Sequence, residues 1–200
     1  MPGLLAPSSQ TNWETLWAPY DQPTYDLVLA QLDAADIVLD IGAGDLRLAR
    51  AMASLVRHVY AIEINPALNA RSRRSLPANL TLLEGDALRL AFPQVLTCGV
   101  LLMRHCTHFR EYFDKLKQAS AKRLLTNARW RMGVEVVDLT APRLPYEQIP
   151  YGWYACCCGA TGFKAGPAEA LTGETIPTSH EICTCPTCTL KSPSGKDRTL

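Results

Sequence analysis

Ile37-Val38-Leu39-Asp40-Ile41-Gly42-Ala43-Gly44-Asp45-Leu46 is the stretch of sequence that decides the fold of this chain. An apolar run interrupted by one acid leads into two glycines spaced by one residue, and an amphipathic segment follows over residues 46–55. This order predicts a buried strand, a tight turn and a helix. Glycines let a ligand approach the main chain, and the first N–H groups of the helix point to the same place. We therefore expect an adenosine-containing cofactor at this turn.

The residues after the second glycine narrow the kind of cofactor. A dinucleotide fingerprint needs a further glycine for close helix packing, whereas Asp45, Leu46 and Arg47 follow Gly44 here. The pattern therefore argues against NAD and FAD. Taken alone, a Gly-x-Gly turn is also compatible with a plain strand-to-helix connection that binds nothing.

Two later strands are predicted to end in acids, as the first one does. Glu63 ends an apolar run that begins at Val59, Asp86 follows a run that begins at Leu80, and successive acids from Asp40 onward are 23 residues apart. The first interval is close to the ~20 residues expected between a glycine turn and the acid that binds a ribose. Ligands of parallel sheets bind beyond the carboxyl ends of the strands. The three carboxylates together indicate a nucleoside site.

Apolar runs and helical segments alternate along the middle of the chain. Further strands are predicted at residues 98–103 and 123–127, and helices at residues 67–75 and 108–120. Such alternation is typical of a parallel sheet covered by helices on both faces. The predicted fold class is α/β, with a Rossmann-like, mostly parallel sheet flanked by helices and a small C-terminal zinc-ribbon-like element.

Composition limits the classes of protein to be considered. The chain has 200 residues, 48% of them hydrophobic, and a net charge of +1, which suits one domain with a small appendage rather than a polycation. No apolar run approaches the ~20 residues of a membrane span, and residues 1–10 lack a signal pattern. We expect a cytoplasmic protein with no membrane partner.

Four segments are predicted along the chain. Residues 1–32 form a helical segment that covers the cofactor site, with Thr24 as a helix cap. Residues 33–142 form the cofactor-binding domain, residues 143–190 a cysteine-rich element, and residues 191–200 a disordered tail.

Six of the eight cysteines lie between Cys156 and Cys188. In a reducing compartment such a cluster favours metal ligation over disulfides. A Cys-x-x-Cys pair, and a second pair of cysteines followed by Gly159, predict a Zn²⁺ site. The site is expected to be structural, because four thiolate ligands leave no open coordination position for catalysis. The expected ligands are Cys156, Cys158, Cys185 and Cys188. Cys157, Cys183 or His180 remain possible substitutes for one of them.

With these motifs in place, the chain resembles the class I S-adenosylmethionine-dependent methyltransferases over residues 36–130. Residues 38–44 are similar to the first motif of that family, residues 60–65 to the second and residues 84–88 to the third. The wording of the second and third motifs most resembles the rRNA adenine dimethyltransferases.

The resemblance implies roles for individual residues in binding S-adenosylmethionine. Gly42 and Gly44 would pass under its methionine part, Asp40 would help to hold the ammonium group, Glu63 would bind both ribose hydroxyls, and Asp86 would reach the adenine amine. The cofactor-binding residues we expect are Tyr20, Asp40, Gly42, Gly44, Glu63, Asp86 and Ala87.

The acceptor side departs from that family. The adenine-methylating relatives carry an Asn-Leu-Pro-Tyr-like signature after the fourth strand, whereas residues 102–108 read Leu-Met-Arg-His-Cys-Thr-His here. Arg104, His105 and His108 are the candidate catalytic residues, since a histidine titrates near neutral pH. A capping or packing role is the alternative for either histidine.

Basic residues offer a weak indication of the acceptor. Residues 104–131 contain eight Lys or Arg against two Asp or Glu, Arg71, Arg73 and Arg74 form a second group, and Trp130 suits stacking on a base. The solvated side of two helices would explain the same charges. The leading hypothesis is a methyltransferase with an unknown acceptor, RNA being favoured over protein or a small molecule. The competing hypothesis is a non-catalytic binding module that docks a partner through its zinc element.

Overall fold

The computed structural model describes residues 21–131, 133–173 and 179–191. Tyr20, most of the predicted N-terminal segment and residues 192–200 of the predicted tail lie outside these ranges. The described chain separates into two compact units. The first contains the residues up to 104 together with 111–140, and the second contains residues 105–110 together with those from 141 onward.

The first unit is built on a six-stranded sheet. Its strands are β1 (Ile37–Ile41), β2 (His58–Glu63), β3 (Leu80–Glu84), β4 (Cys98–Leu101), β5 (Arg123–Thr126) and β6 (Glu135–Asp138), in the order β3-β2-β1-β4-β5-β6. All pairs are parallel except β5 with β6, which is antiparallel. The order reverses between β1 and β4, which is where ligands of such sheets bind.

The helices in chain order are α1 (Gln22–Leu29), α2 (Arg47–Ala53), α3 (Pro66–Ser72) and α4 (Phe109–Gln118). A 3₁₀ turn, Arg73–Ser75, follows α3. The apolar side chains of α2 pack with those of β1 and β2 into the hydrophobic core. Within the described residues, no helix is long and apolar enough to cross a membrane.

Side chains and prolines fix where the helices begin. Asp21, not Thr24, caps α1, because the Oδ1 atom of Asp21 accepts a hydrogen bond of 3.0 Å from the main-chain N–H of Thr24. Asn65 caps α3 in the same way, with Oδ1 accepting from the N–H of Ala67 at 3.0 Å. Both α1 and α3 have a proline in the first turn, where the main-chain N–H has no partner within the helix.

The second unit contains a four-stranded sheet. Its strands are β7 (Leu144–Pro145), β8 (Gly152–Cys156), β9 (Thr161–Lys164) and β10 (Ser179–Thr184), in the order β7-β10-β8-β9. β10 is parallel to β7 and β8, whereas β8 and β9 form an antiparallel pair. Short 3₁₀ turns lie at Tyr146–Gln148 and Ala168–Ala170, and a short helix, α5 (Pro186–Lys191), ends the described chain.

Candidate cofactor site and cysteine cluster

The turn after β1 has the backbone conformation that its glycines predict. Gly42 and Gly44 have φ angles of 76° and 59°, and the N–H groups of Gly42 and Ala43 both donate to the carbonyl of Ile62 at 2.9 Å. A Cβ atom added to Gly42 would lie 2.3 Å from Cε of Met103. The turn is therefore held against β2, and a side chain at Gly42 would displace the end of the Met103 side chain.

Glu63 is held by main-chain amides at the end of β2. The residue is only 7% exposed. Its Oε2 atom accepts a hydrogen bond from the N–H of Gly44, and its Oε1 atom accepts one from the N–H of Asn65, each at 2.7 Å. Burial raises the pKa of Glu63, and hydrogen bonds from the main-chain amides of Asn65, Gly44 and Ile64 act in the opposite direction. The carboxylate keeps acceptor capacity for a further donor.

Asp40 is the more deeply buried of the two acids. The residue is 4% exposed, and its Oδ2 atom has no hydrogen-bond partner among the described residues. Burial, and secondly the negative charge of Glu63, raise the pKa of Asp40 to about 7. A buried carboxylate without a partner is costly, so this position suits a ligand that brings a cationic group.

Asn69 is a candidate site residue that the sequence reasoning missed. Its Nδ2 atom donates to the main-chain carbonyl of Glu63 at 3.1 Å, and its Oδ1 atom is buried with no hydrogen-bond partner in the described part of the chain. Asn69 lies four residues after the cap Asn65, one turn along α3, and that spacing is the signal that could have drawn attention to it.

Asp86 follows the edge strand β3. Its Oδ1 atom accepts from the N–H of Leu88 at 2.9 Å, which makes a tight turn of the loop. Lys115 of α4 supports the same loop, since Nζ donates to the carbonyls of Leu88 and Leu90 at 3.1 and 2.6 Å as well as to that of Ala87. Because β1, β2 and β3 are parallel and in register, all three predicted acids stand at one edge of the sheet.

The candidate catalytic residues lie in the loop between β4 and α4. Arg104, His105 and His108 are all exposed. Arg104 belongs to the first compact unit, whereas His105 and His108 belong to the second. Their catalytic role therefore stays a prediction.

Several of the basic residues have internal partners. Arg123 is ion-paired with Asp36. Arg129, whose side chain is 2% exposed, is ion-paired with Glu135. Lys115 donates to the main-chain carbonyls described above. In the second basic group, Arg73 is paired with Glu84. Lys117, Lys122 and Arg131 are exposed. The basic surface is thus smaller than the count of charges suggests.

Four cysteines of the second unit come together as the sequence predicts. The Sγ atoms of Cys156, Cys158, Cys185 and Cys188 all lie within 4.8 Å of one another. Three of the Sγ pairs, Cys156 with Cys188, Cys158 with Cys185, and Cys185 with Cys188, are 3.6 Å apart. Tetrahedral Zn²⁺ with Zn–S bonds of about 2.3 Å places sulfurs about 3.8 Å apart, so the cluster fits this ion.

The local backbone forms the two turns that present these thiols. The N–H of Gly159 donates to the carbonyl of Cys156 at 2.9 Å, and Gly159 has a φ angle of 91°. In the second turn the N–H of Cys188 donates to the carbonyl of Cys185, also at 2.9 Å. Since β8 and β10 are parallel neighbours, both turns leave the sheet at the same edge.

The three alternative ligands lie outside the four-sulfur group. Cys157 is engaged elsewhere: its Sγ donates to the carbonyl of Cys183 at 3.0 Å and accepts from Nη1 of Arg110 at 2.9 Å. His180 and Cys183 are both members of β10.

Comparison with known proteins bears on the first unit. Residues 38–126 match the methyltransferase domain family. A probable ribosomal RNA small subunit methyltransferase A of Methanosarcina barkeri is 39% identical over 67 residues, which is 32% of this chain and 23% of that protein. The Bordetella pertussis ribosomal RNA small subunit methyltransferase A is 43% identical over 60 residues, covering 30% and 23% of the two chains. This chain thus spans about a quarter of the length of these curated relatives.

Among solved structures, that of the 23S rRNA methyltransferase ErmE is 23% identical. It aligns with a TM-score of 0.48 over 54% of this chain and 46% of that chain.

The sheet order, the glycine turn and the acids at the strand ends give the first unit a Rossmann-like fold that resembles the class I S-adenosylmethionine-dependent methyltransferases. The match to the methyltransferase domain family covers residues 38–126, which is less than half of this chain.

Proposed function

We propose that this chain binds S-adenosylmethionine and transfers its methyl group to RNA. The observation that carries the proposal is the pair of acids at the glycine turn. Asp40 is buried with an unpartnered oxygen, and Glu63 is fixed by the amides of Gly44 and Asn65. One cofactor with a cationic amino acid end and a ribose diol matches both.

The residues present fit that cofactor chemically. Asp40 would hold the ammonium group, the turn at Gly42 and Gly44 would let the methionine part lie against the main chain, and Glu63 would accept from the ribose hydroxyls. Asn69 adds a buried acceptor, Oδ1, beside Glu63. Once bound, the cofactor supplies an electrophilic methyl group on a positively charged sulfur.

The chain would contribute to the rate chiefly by positioning. Methyl transfer needs the acceptor atom in line with the methyl group, and holding two reactants in place can supply much of the rate. A general base is needed only where the acceptor loses a proton. His105 and His108 are the candidates for that base, with Arg104 as a candidate for contacting an anionic acceptor.

Two observations favour RNA as the acceptor. The curated relatives that match this chain are named as ribosomal RNA methyltransferases. Lys117, Lys122 and Arg131 are exposed cations of the first unit that can meet phosphates.

The proposal is tested in two steps. Calorimetry with S-adenosylmethionine should give binding by the wild type, and at least a tenfold loss in both Asp40→Ala and Glu63→Ala. Labelled cofactor is then incubated with cell extract, which is fractionated into RNA, protein and metabolites, and the label is expected in RNA. Absence of S-adenosylmethionine binding would refute the proposal that the chain is a methyltransferase. Binding without transfer to any fraction would instead favour a non-catalytic binding module.

We also propose that the cysteine cluster holds one structural Zn²⁺ through Cys156, Cys158, Cys185 and Cys188. Four protein thiolates fill a tetrahedral site, so its role is to stabilise the fold of a unit with a small core. Metal analysis of the purified full chain should give one zinc per chain. A folded protein that contains no metal would overturn this proposal.

A further inference from the structure

The side chain of Asn127 is buried without a hydrogen-bond partner. The residue is 1% exposed, and both the Oδ1 and the Nδ2 atom lack a partner within the residues that the structure describes. An unpaired buried polar group costs about 1–3 kcal/mol, so an amide with both ends unpaired is an expensive feature. Such a group needs an explanation other than packing.

The backbone next to Asn127 is, in contrast, hydrogen-bonded. Thr126 Oγ1 donates to the carbonyl of Leu101 at 2.7 Å and accepts from the N–H of Ala128 at 3.0 Å. The carbonyl of Asn127 itself accepts from the N–H of Arg131 at 3.1 Å. These bonds tie the end of β5 to the end of β4 and hold Asn127 in one place. The amide takes no part in them, so any residue type could supply this backbone role.

Asn127 stands at the edge of the sheet that carries the glycine turn. Thr126 of β5 pairs with Leu101 of β4, and Val100 of β4 pairs with Asp40 of β1, so Asn127 lies just beyond these paired rows. Neighbouring strands are about 4.8 Å apart, which puts β5 about 10 Å from β1 along this edge. Asn127 is on the far side of the switch point from β2, where Glu63 would bind the ribose of the cofactor.

We propose that Asn127 binds the methyl acceptor and that the acceptor group it recognises is the edge of a nucleobase. This inference rests on the proposed function and deepens it. The carboxamide offers one acceptor and one donor side by side, and its complement is a planar group with an adjacent donor and acceptor. Nucleobase edges have this pattern, and asparagine pairs with adenine through two such bonds. A base turned out of its stack would satisfy both unpaired atoms at once.

If Asn127 binds the acceptor, removal of its side-chain amide should lower methyl transfer without lowering the stability of the fold. Asn127→Leu replaces an unpaired buried amide by an apolar side chain of similar size, which relieves the desolvation penalty. We expect its melting temperature to be equal to or above that of the wild type. We expect kcat/KM for RNA to fall at least tenfold, with the affinity for S-adenosylhomocysteine unchanged within twofold.

Asn79 provides a matched control. Its Nδ2 atom donates to the carbonyls of Ala53 and Val56 at 2.8 and 3.1 Å, so its amide has a structural role. Asn79→Leu should lower the melting temperature and leave kcat/KM unchanged below the unfolding transition. Asn127→Asp, which keeps the acceptor and loses the donor, should retain part of the activity that Asn127→Leu loses.

The probe is unmodified ribosomal RNA transcribed in vitro, with labelled S-adenosylmethionine and the full-length chain. A wild type that binds the cofactor and labels RNA, with an Asn127→Leu variant that is stable and inactive, supports the inference. If the wild type labels RNA and Asn127→Leu labels it equally well, the inference fails and the proposed function stands. If Asn127→Leu melts well below the wild type, its amide has a structural role and the inference also fails. Label in protein or metabolites but not in RNA overturns both.

Discussion

Oε2 of Glu63 accepts a hydrogen bond of 2.7 Å from the main-chain N–H of Gly44. This bond joins the end of β2 to the turn after β1, and the second oxygen of the same carboxylate accepts from Asn65, the residue that caps α3. A single side chain thus fixes the shape of the turn and the start of a helix. It is also the side chain that we expect to bind the ribose.

Glu63→Gln is therefore expected to lower both stability and cofactor affinity. The amide nitrogen of glutamine would face a main-chain N–H, which leaves a buried donor without an acceptor and costs about 1–3 kcal/mol. Urea unfolding would measure the loss, and calorimetry the affinity. Unchanged stability would mean that the two amide bonds do not hold the turn.

Asp40→Asn is expected to have the opposite effect on the stability of the free protein. Because the pKa of Asp40 is raised to about 7, the folded state keeps a proton there that the unfolded state releases above its ordinary pKa. The wild type should therefore lose stability as the pH rises toward 7, by up to about 3 kcal/mol between pH 5 and pH 8. The variant should lack this loss, as measured by urea unfolding at both values.

The same titration should appear in cofactor binding. The ammonium group of a bound ligand prefers the ionised carboxylate, so the affinity of the wild type for S-adenosylhomocysteine is expected to rise as the pH passes 7. Calorimetry between pH 6 and pH 8 tests this, with Asp40→Asn as the control whose weaker binding does not vary in that range. The same pH dependence in both proteins would exclude Asp40 as its source.

Leu46→Gly should destabilise the first unit, although glycine adopts the backbone conformation of this position more easily than leucine. Leu46 has a φ angle of 66°, and relief of this left-handed conformation is worth about 1–2 kcal/mol. The side chain is, however, 0% exposed, and removing a buried leucine costs about 2–5 kcal/mol. The lost packing outweighs the relieved strain, and thermal unfolding should show a net loss.

Ser120→Gly is the matched control for that substitution. Ser120 has a φ angle of 67°, is exposed and follows the end of α4, where the N–H of Ala121 donates to the carbonyl of Leu116 at 3.0 Å. With no packing to lose, glycine at this helix end should stabilise the protein by about 1 kcal/mol. A destabilised variant would contradict the assignment of the helix end.

Cys158→Ser and Cys157→Ser separate ligands from neighbours in the cysteine cluster. The first should lower the zinc content of the purified protein and its melting temperature, since one of four sulfurs is lost. The second should retain one zinc per chain, because Cys157 Sγ is bonded to the carbonyl of Cys183 and lies outside the four-sulfur group. Loss of zinc from Cys157→Ser would require a different ligand set.

Salt dependence can distinguish exposed from internal cations. The double variant Lys117→Gln, Lys122→Gln should reduce the slope of log K against log salt for single-stranded RNA by about 1.4, since each phosphate contact contributes about 0.7. Arg123→Gln should leave the slope unchanged and lower stability, because Arg123 is ion-paired with Asp36. Equal slopes in all three proteins would place the RNA elsewhere on the surface.

The sequence predicts the core of the first sheet because burial there follows from local pattern. β1 occupies the residues expected, and β2 to β5 agree within a few residues at their ends. The glycine turn is also confirmed, although Leu46 precedes α2 rather than beginning it. The antiparallel strand β6 was not predicted, since a strand of only four residues with a single buried side chain, Val137, carries almost no periodic signal.

The rest depends on contacts between distant residues. The strands of the second sheet are two to six residues long and include polar stretches such as Ser179–Thr184, so cysteine spacing marked the metal site but not the sheet around it. The unpaired atoms of Asn69 and Asn127 exist only because the folded neighbours exclude water without offering a partner. The spacing from Asn65 can draw attention to Asn69, but it does not reveal that either side-chain amide has an unpaired atom.

The parallel pairing of β8 with β10 should allow the second unit to accept changes in the chain that connects these strands. Ile182 lies beside Cys156, so the thiols are brought together by the alignment of the two strands and not by the length of chain that connects them. Loop insertions between residues 165 and 173 should therefore leave the spacing of the sulfurs intact. The length and sequence of that connection can therefore change without a change in the arrangement of the four sulfurs.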